Sequence, residues 1–245
     1  MATYVIGDIH NNIKGLEDVL TKAPLQPGDT LIPIGDIFDG WKYAKEVAQL
    51  LMNLQHQYNC IFIMGNHDEW VLDWLKTGVA KDYWLKQGGQ RTYDSLSQWF
   101  EDEPQMADEL MMFINRFDYK YVDEQNRGFV HGGYHSKLGL GKSKLDPESD
   151  HISVYTWDRT LFETAYTRNN LDGSKIPRLD AHTEVYIGHT ATTMYGVIEP
   201  MIIHNLINID TGSGGNGCLS IMNIDTKEYW QSKKSKLYYP QDANF

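Results

Sequence analysis

The first third of the chain alternates short apolar runs with segments of helical periodicity. The apolar runs cover residues 3–6, 30–34 and 60–64. After each run comes a polar loop and then apolar residues spaced three and four positions apart, a pattern typical of a helix that packs on one face. Strands that alternate with helices predict a parallel sheet, and the loops that follow such strands meet at one edge of it.

The remainder of the chain has a different pattern. From about residue 81 to 116 it is helical but irregular, which indicates a helical insertion. Short apolar runs then recur at 119–122, 128–130, 185–187, 201–203, 206–209 and 219–224, and they predict a second, more antiparallel sheet. No internal repeat or Pro/Ser-rich linker marks a boundary, so we expect residues 1–245 to form a single domain.

Composition excludes several classes of protein. With 41% hydrophobic and 22% charged residues, the chain is expected to fold as an ordinary globule. A formal net charge of -11 argues against a nucleic-acid partner, which an excess of Lys and Arg would favour. Cys60 and Cys218 stand alone, so neither a disulfide framework nor a thiolate zinc site is indicated. We find no signal peptide and no membrane span, and we therefore expect a cytoplasmic protein.

The candidate chemistry lies in three loops that each follow a predicted strand. They read GDIHN, GDIFDG and GNHDEW, and together they carry Asp8, His10, Asp36, Asp39, Asn66, His67 and Asp68. One Gly-Asp after a strand is more often a turn or a helix cap, but three such loops at one sheet edge would crowd their carboxylates together. A divalent cation would relieve that repulsion, and mixed oxygen and imidazole ligands suit manganese, iron or zinc better than calcium.

The order GDIH, GDIFDG and GNHD resembles the calcineurin-like metallophosphoesterases, most closely the phosphoprotein phosphatase family in its small bacterial and phage branch. The resemblance continues at His131 in HGG, Arg159 in Trp-Asp-Arg, His189 in GHT and the NIDTGSG segment at 208–214, so it spans nearly the whole chain. It implies an α/β fold in which two β-sheets pack face to face as a sandwich flanked by helices.

The resemblance also implies two divalent metal ions per chain, with manganese expected and iron or zinc as alternatives. Asp8, His10 and Asp36 would hold one ion, and Asp36, Asn66, His131 and His189 the other. Asp36 would then bridge the pair, which a carboxylate can do for cations about 3.5–4 Å apart. The implied reaction is hydrolysis of a phosphate ester by direct attack of a hydroxide held by both ions, without a covalent phosphoenzyme.

Three further residues receive catalytic roles from the same resemblance. His67 would donate a proton to the leaving oxygen, and Asp39 would orient its ring and raise its basicity. Arg159 would grip two phosphate oxygens, for which a planar guanidinium is well suited.

The sequence departs from the family pattern at three positions. Asp68 replaces the more usual glutamate, which keeps the charge. Gly40 stands where the family has a second phosphate-binding arginine. The sequence leaves open what replaces that arginine, and Lys42 and Arg91 are candidates from nearby loops. Asn11 replaces a glycine after GDIH, and we expect it to cap the helix that follows.

These features predict a metal-dependent phosphomonoesterase whose substrate is phosphoserine or phosphothreonine in a protein or peptide, or a small phosphoester. One alternative is a nucleotide phosphohydrolase resembling diadenosine tetraphosphatase. A second is an inactive metal-binding scaffold, although the retention of every inferred ligand speaks against it. The sequence leaves open the physiological substrate, the native metal, the oligomeric state and any regulatory partner.

Overall fold

The computed structural model describes residues 1–141, 151–171 and 176–242, and all nine predicted catalytic and metal-binding residues lie within these ranges. The strands are β1 Thr3–Ile6, β2 Thr30–Pro33, β3 Asn59–Cys60, β4 Lys120–Val122, β5 Arg127–Val130, β6 Glu184–Ile187, β7 Met201–Ile203, β8 Leu206–Asn208, β9 Ser220–Asn223 and β10 Tyr229–Gln231. The helices are α1 Ile13–Lys22, α2 Ala44–Leu54, α3 Asn66–Thr77, α4 Asp82–Trp84, α5 Gln90–Asp102, α6 Gln105–Ile114, α7 Ile152–Trp157, α8 Thr160–Leu171 and α9 Ser235–Tyr238. A π-helical turn, Leu85–Gly89, joins α4 to α5.

Two five-stranded sheets form the centre of the molecule. The first has the order β10-β9-β1-β2-β3, and the second has the order β4-β5-β6-β8-β7. Strands β1, β2 and β3 are parallel, as are β5, β6 and β8. The antiparallel strands β9 with β10, β4 and β7 extend these parallel groups outward.

This topology corrects the expected second sheet in two respects. The apolar run at 219–224 forms β9, which pairs antiparallel with β1 in the first sheet. The second sheet is antiparallel only along its two edges, because β5, β6 and β8 in its centre run parallel. The apolar pattern indicated these strands, but a strand's own pattern does not specify the partner with which it pairs.

The third predicted strand, at 60–64, is assigned only at Asn59–Cys60. The chain nevertheless continues to follow β2, because the amides of Ile61 and Ile63 donate hydrogen bonds to the carbonyls of Leu31 (2.9 Å) and Pro33 (3.0 Å). The loop that begins at Gly65 is therefore still held beside the end of β2.

Alternation along the strands divides the core into layers. Val5 of β1 points between the sheets, whereas its neighbours Tyr4 and Ile6 face the helices. The layer between the sheets is built from both of them, and its buried members are Val5, Ile32, Ile34, Ile63, Phe129, Tyr186, Ile207, Ile209, Met222 and Ile224. The outer faces of the two sheets are covered by separate helical layers. The expected two-sheet sandwich flanked by helices is confirmed.

The segment at about 81–116, expected to be a helical insertion, contains α4, the π-helical turn, α5 and α6. Helix α5 packs against α2, and α6 packs against α3. Trp84, Leu96 and Trp99 of this segment are buried in the core on the outer face of the first sheet. No helix in the described part of the chain has the length and apolarity needed to span a bilayer.

Helix α1 is capped by Asn12, whose Oδ1 accepts a hydrogen bond from the amide of Gly15 at 2.9 Å. The expectation that Asn11 provides this cap is therefore wrong. The Asn11 side chain instead donates to the carbonyl of Trp41 (2.9 Å) and to Oγ1 of Thr92 (2.8 Å), and so ties the first loop to the second loop and to α5.

Candidate metal centre

Six polar residues follow the parallel strands of the two sheets. Asp8, Asp36 and Asn66 come after β1, β2 and β3, and His131, His189 and Asp210 come after β5, β6 and β8. Because parallel strands end at the same edge of a sheet, each trio is collected at one edge by the topology. The two edges meet at the same end of the sandwich, where residues of both trios lie within reach of one another.

The predicted ligands form two groups that share Asp36. One group contains Asp8, His10 and Asp36, and the other contains Asp36, His131 and His189; in each, the potential ligand atoms lie within 4.8 Å of one another. Asp36 presents one oxygen to each group, since Oδ1 is 3.2 Å from Nε2 of His131 and Oδ2 is 3.7 Å from Nε2 of His10.

Asn66 joins the second of these groups. Its Oδ1 lies 3.2 Å from the same Nε2 of His131. All six residues predicted to hold metals are therefore brought to one place.

The hydrogen bonding of these residues fits a site for cations. Oδ1 of Asp8 and Nε2 of His189 are buried, and neither has a hydrogen-bond partner among the residues described. Buried polar atoms are ordinarily satisfied, so two such atoms facing one cluster indicate a missing cation. Nδ1 of His131 donates to the carbonyl of Ile34 at 2.8 Å, which leaves Nε2 as the ring's lone-pair nitrogen beside Asp36.

The electrostatics of the cluster lead to the same conclusion. Burial, followed by the charges of Asp210 and Asp36, raises the pKa of Asp8 well above its usual range. Burial also lowers the pKa of His10 to about 4 and that of His189 to about 3, so both rings are neutral and able to bind a metal. Bound cations would offset the crowded carboxylate charge.

Several of these residues adopt a left-handed backbone that is uncommon for side chains other than glycine. His10, Asp36, Asp39 and His189 have φ angles of 52°, 46°, 70° and 63°. Hydrogen bonds hold the loops in this conformation, including those from the amides of Ile9 and His10 to the carbonyl of Asp36. Strain of this kind concentrates at functional sites, where the surrounding structure enforces it.

His67 and Asp39 form a close pair beside the ligands. Oδ2 of Asp39 accepts hydrogen bonds from Nδ1 of His67 (2.7 Å) and from Nε1 of Trp84 (2.9 Å). Burial alone would lower the pKa of His67, but the charge of Asp36 and the bond to Asp39 raise it to about 9. Nε2 of His67 is 4.0 Å from Oδ2 of Asp36, and the ring lines the same cavity as the predicted ligands.

Asp68, where the family more often has glutamate, has a structural position. Its Oδ1 accepts hydrogen bonds from the amides of Ile37 (2.9 Å) and Phe38 (3.2 Å), and its Oδ2 accepts one from the amide of Gly65 (3.0 Å). The side chain therefore fastens the GDIFDG loop to the start of α3, which keeps Asp36 and Asn66 together.

Arg159 lies in the wall of an open cavity of about 580 Å³ that also contains His10, Asp36, His67 and His189. Its Nη1 donates to the carbonyl of His189 and to Oγ1 of Thr190, the latter at 3.3 Å. These bonds hold the guanidinium next to a predicted metal ligand, in a position from which it could contact a bound phosphate.

The expected substitutes for an arginine at position 40 do not reach this cavity. Lys42 pairs with the carboxylate of Asp242 at 3.1 Å, and Arg91 donates to the carbonyls of Gly40 (3.5 Å) and Asp242 (3.4 Å). Both cations line a different cavity, between α2 and α5. Within the described ranges, the lysine that lines the catalytic cavity is Lys86.

Sequence reasoning missed three residues of the site. Asp210 lies in the cavity wall, and burial raises its pKa to about 6. The signal was present, because Asp210 follows a predicted strand within NIDTGSG. Trp84 and Lys86 come from the helical insertion, and nothing in their local sequence marks them.

A sandwich of this topology, with two ligand groups that share a carboxylate at the ends of its parallel strands, defines a metallophosphoesterase. The chain belongs to the calcineurin-like phosphoesterase family, whose model matches residues 1–200. The family uses a dinuclear metal centre, for which the two groups around Asp36 supply candidate ligands.

Among curated relatives, the chain is 22% identical to the symmetrical bis(5'-nucleosyl)-tetraphosphatase of Pseudomonas putida, over 94% of this chain and 92% of that enzyme. Among solved structures, it resembles the cold-active protein-tyrosine phosphatase of a psychrophilic Shewanella, with a TM-score of 0.63 and 18% identity over 94% of this chain and 80% of that one. A protein serine/threonine phosphatase from Saccharomyces cerevisiae gives a TM-score of 0.61 and 15% identity over 95% of this chain and 80% of that one. At these identities, the two structural matches establish the fold alone.

Proposed function

We propose that this protein is a metal-dependent phosphomonoesterase that hydrolyses phosphoserine or phosphothreonine in proteins or peptides. The single observation that carries the proposal is the pair formed by His67 and Asp39 beside the predicted metal ligands. An alkoxide is a very poor leaving group, so its departure requires a proton from a nearby acid. The bond from Nδ1 to Asp39 increases the basicity of the ring and leaves Nε2 as the nitrogen that can carry such a proton.

In this proposal Asp8, His10 and Asp36 hold one divalent cation, and Asp36, Asn66, His131 and His189 hold the other. When bound, the cations lower the pKa of water and offset negative charge on the phosphate. Manganese is the expected metal, with iron or zinc as alternatives.

The remaining roles belong to the chain's own side chains. Arg159 binds two non-bridging phosphate oxygens and orients the ester in the cavity. His67 gives its Nε2 proton to the departing oxygen, while Asp39 keeps Nδ1 protonated and the ring fixed. Trp84 donates to the same carboxylate oxygen of Asp39 and so restricts its rotation.

The proposal is tested by comparing substrates on the metal-loaded enzyme. The panel contains a phosphoserine peptide, a phosphothreonine peptide, p-nitrophenyl phosphate and diadenosine tetraphosphate, each assayed with manganese. We expect release of inorganic phosphate from both peptides. Hydrolysis of diadenosine tetraphosphate with no turnover of either peptide would overturn the proposal in favour of the nucleotide alternative.

That alternative, hydrolysis of a dinucleoside polyphosphate, is our second candidate. It is favoured by the name of the Pseudomonas putida relative, which aligns over almost the whole chain. Lys86 adds a second cation to Arg159 in the cavity wall, and a polyphosphate chain requires such additional positive charge. An inactive scaffold is the third candidate, and it would be excluded by phosphate release from any of the three monoesters or by nucleotide release from diadenosine tetraphosphate.

A further inference from the structure

The side of the cavity that holds the leaving group is defined by His67. In the proposed function this ring protonates the departing oxygen, so the group attached to that oxygen lies next to the pair formed by His67 and Asp39. The residues that border this pair therefore contact the leaving group. They include Gln87 and Gly88 of the π-helical turn, which line the cavity. Trp84, whose indole bonds to Asp39, is buried and supports the pair without lining the cavity.

The π-helical turn approaches the second loop very closely. The amide of Gly40 donates to the carbonyl of Gly88 at 3.3 Å. Both glycines have left-handed backbones, with φ of +91° at Gly40 and +96° at Gly88, and a Cβ atom on Gly88 would lie 3.1 Å from the Gly40 nitrogen. A Cβ atom on Gly40 would lie 3.3 Å from the Cβ atom of His10. The absence of a side chain at Gly88 lets the turn approach Gly40 this closely, and the absence of one at Gly40 leaves room for His10.

Lys86 stands in this turn and lines the cavity together with Gln87 and Gly88. Its side chain is exposed, and among the described residues it makes no ion pair with a carboxylate. Lys81 lies five positions earlier and provides a contrast. It pairs with Asp73 at 2.7 Å and does not line the cavity. Lys86 therefore offers a positive charge beside the leaving group.

We infer that Lys86 selects substrates whose leaving group carries negative charge close to the scissile P–O bond. This inference rests on the proposed function, because it takes the leaving-group side from the role of His67. The charge on the substrate could come from acidic side chains that flank a phosphorylated residue or from further phosphates in a polyphosphate chain. In either case the recognition is the same, an ammonium group that attracts an anion at the rim of the cavity.

The test compares Lys86→Gln with the native enzyme on matched substrates. The first arm uses two phosphoserine peptides that differ only by Glu or Gln beside the phosphoserine. The second arm uses diadenosine tetraphosphate. The reference substrate is p-nitrophenyl phosphate, which has no charged extension. We expect kcat/KM to fall about 5-fold on the Glu peptide, the polyphosphate or both, the size typical of an exposed charge pair. The loss on the reference and on the Gln peptide should be smaller than the loss on the charged substrates, and raised salt should remove the difference.

The outcomes are distinct. A selective loss in one arm supports the inference and identifies the source of the charge. An equal loss on every substrate, or no loss on any, overturns it, and so does an equal effect of the control Lys81→Gln. Lys86→Arg should keep the preference because it retains the charge. Absence of turnover on every peptide by the native enzyme would instead contradict the proposed function.

Discussion

Replacing His67 with asparagine tests whether this ring acts as a proton donor. The ring is held by one hydrogen bond from Nδ1 to Asp39 at 2.7 Å, and its pKa is raised to about 9. With Nδ1 bonded to Asp39, Nε2 is the ring nitrogen left to carry the proton that the leaving group needs. General acid catalysis contributes about 10²–10⁴-fold, which corresponds to about 3–5 kcal/mol of the barrier.

The effect should depend on the leaving group. We expect His67→Asn to lower kcat by about 10²–10⁴-fold on a phosphoserine peptide, whose alkoxide must be protonated. The loss on p-nitrophenyl phosphate should be far smaller, because nitrophenolate spreads its charge into the ring and departs without a proton. Steady-state kinetics on the two substrates, with metal content measured on the same preparations, give the comparison.

Asp39→Asn provides the matched control, because Asp39 acts through the histidine. It removes a charge-assisted hydrogen bond worth about 1.5–3 kcal/mol, so it should show the same selectivity with a smaller loss. The double variant should lose no more than His67→Asn alone. Equal losses on alkyl and aryl substrates with metals intact would refute the reasoning, and would mean that His67 stabilises charge or positions the substrate.

Three other variants examine separate features of the site. Asp36→Asn should lose both metals and all activity, and metal analysis that shows full occupancy would contradict its bridging position. Arg159→Ala should raise KM and lower kcat/KM by about 10²-fold, equivalent to about 3 kcal/mol, whereas unchanged kinetics would remove it from the site. Gly88→Ala should lower both the melting temperature and the activity, because it adds a crowded contact with Gly40 to the cost of its positive φ. Gly78→Ala is the control, since a side chain there also has a positive φ of +71° but meets nothing within 4 Å, so it should lower stability alone.

The convergence of the site was predictable because it follows from local pattern and topology. An apolar run followed by Gly-Asp places Asp8 and Asp36 after strands, and parallel strands must end at the same edge. The pairing of β9 with β1 was not predictable in this way. The apolar run at 219–224 predicts a strand but not the strand with which it pairs. That partner depends on long-range packing, in which Met222 lies between the sheets.

The positions of the basic side chains near the cavity were also not predictable from local sequence. Lys42 lies near Gly40 in sequence, and Arg91 donates to the carbonyl of Gly40. Both side chains nevertheless also bond to Asp242, near the end of the described chain. Lys86 reaches the cavity because a turn with non-helical φ and ψ at Gly88 interrupts the helical segment. Helical periodicity gives no sign of such a kink.

The helical insertion is therefore part of the active site as well as part of the core. Trp84 donates a hydrogen bond to the carboxylate that holds His67. Oγ1 of Thr92 accepts hydrogen bonds from the side-chain amide of Asn11 and from the backbone amide of Asp39, the latter at 3.0 Å. The metal ligands come from loops after the strands, so the hydrolytic chemistry depends on the sandwich. If Lys86 contacts the leaving group as we propose, changes in the insertion should alter substrate choice while leaving the predicted ligands in place.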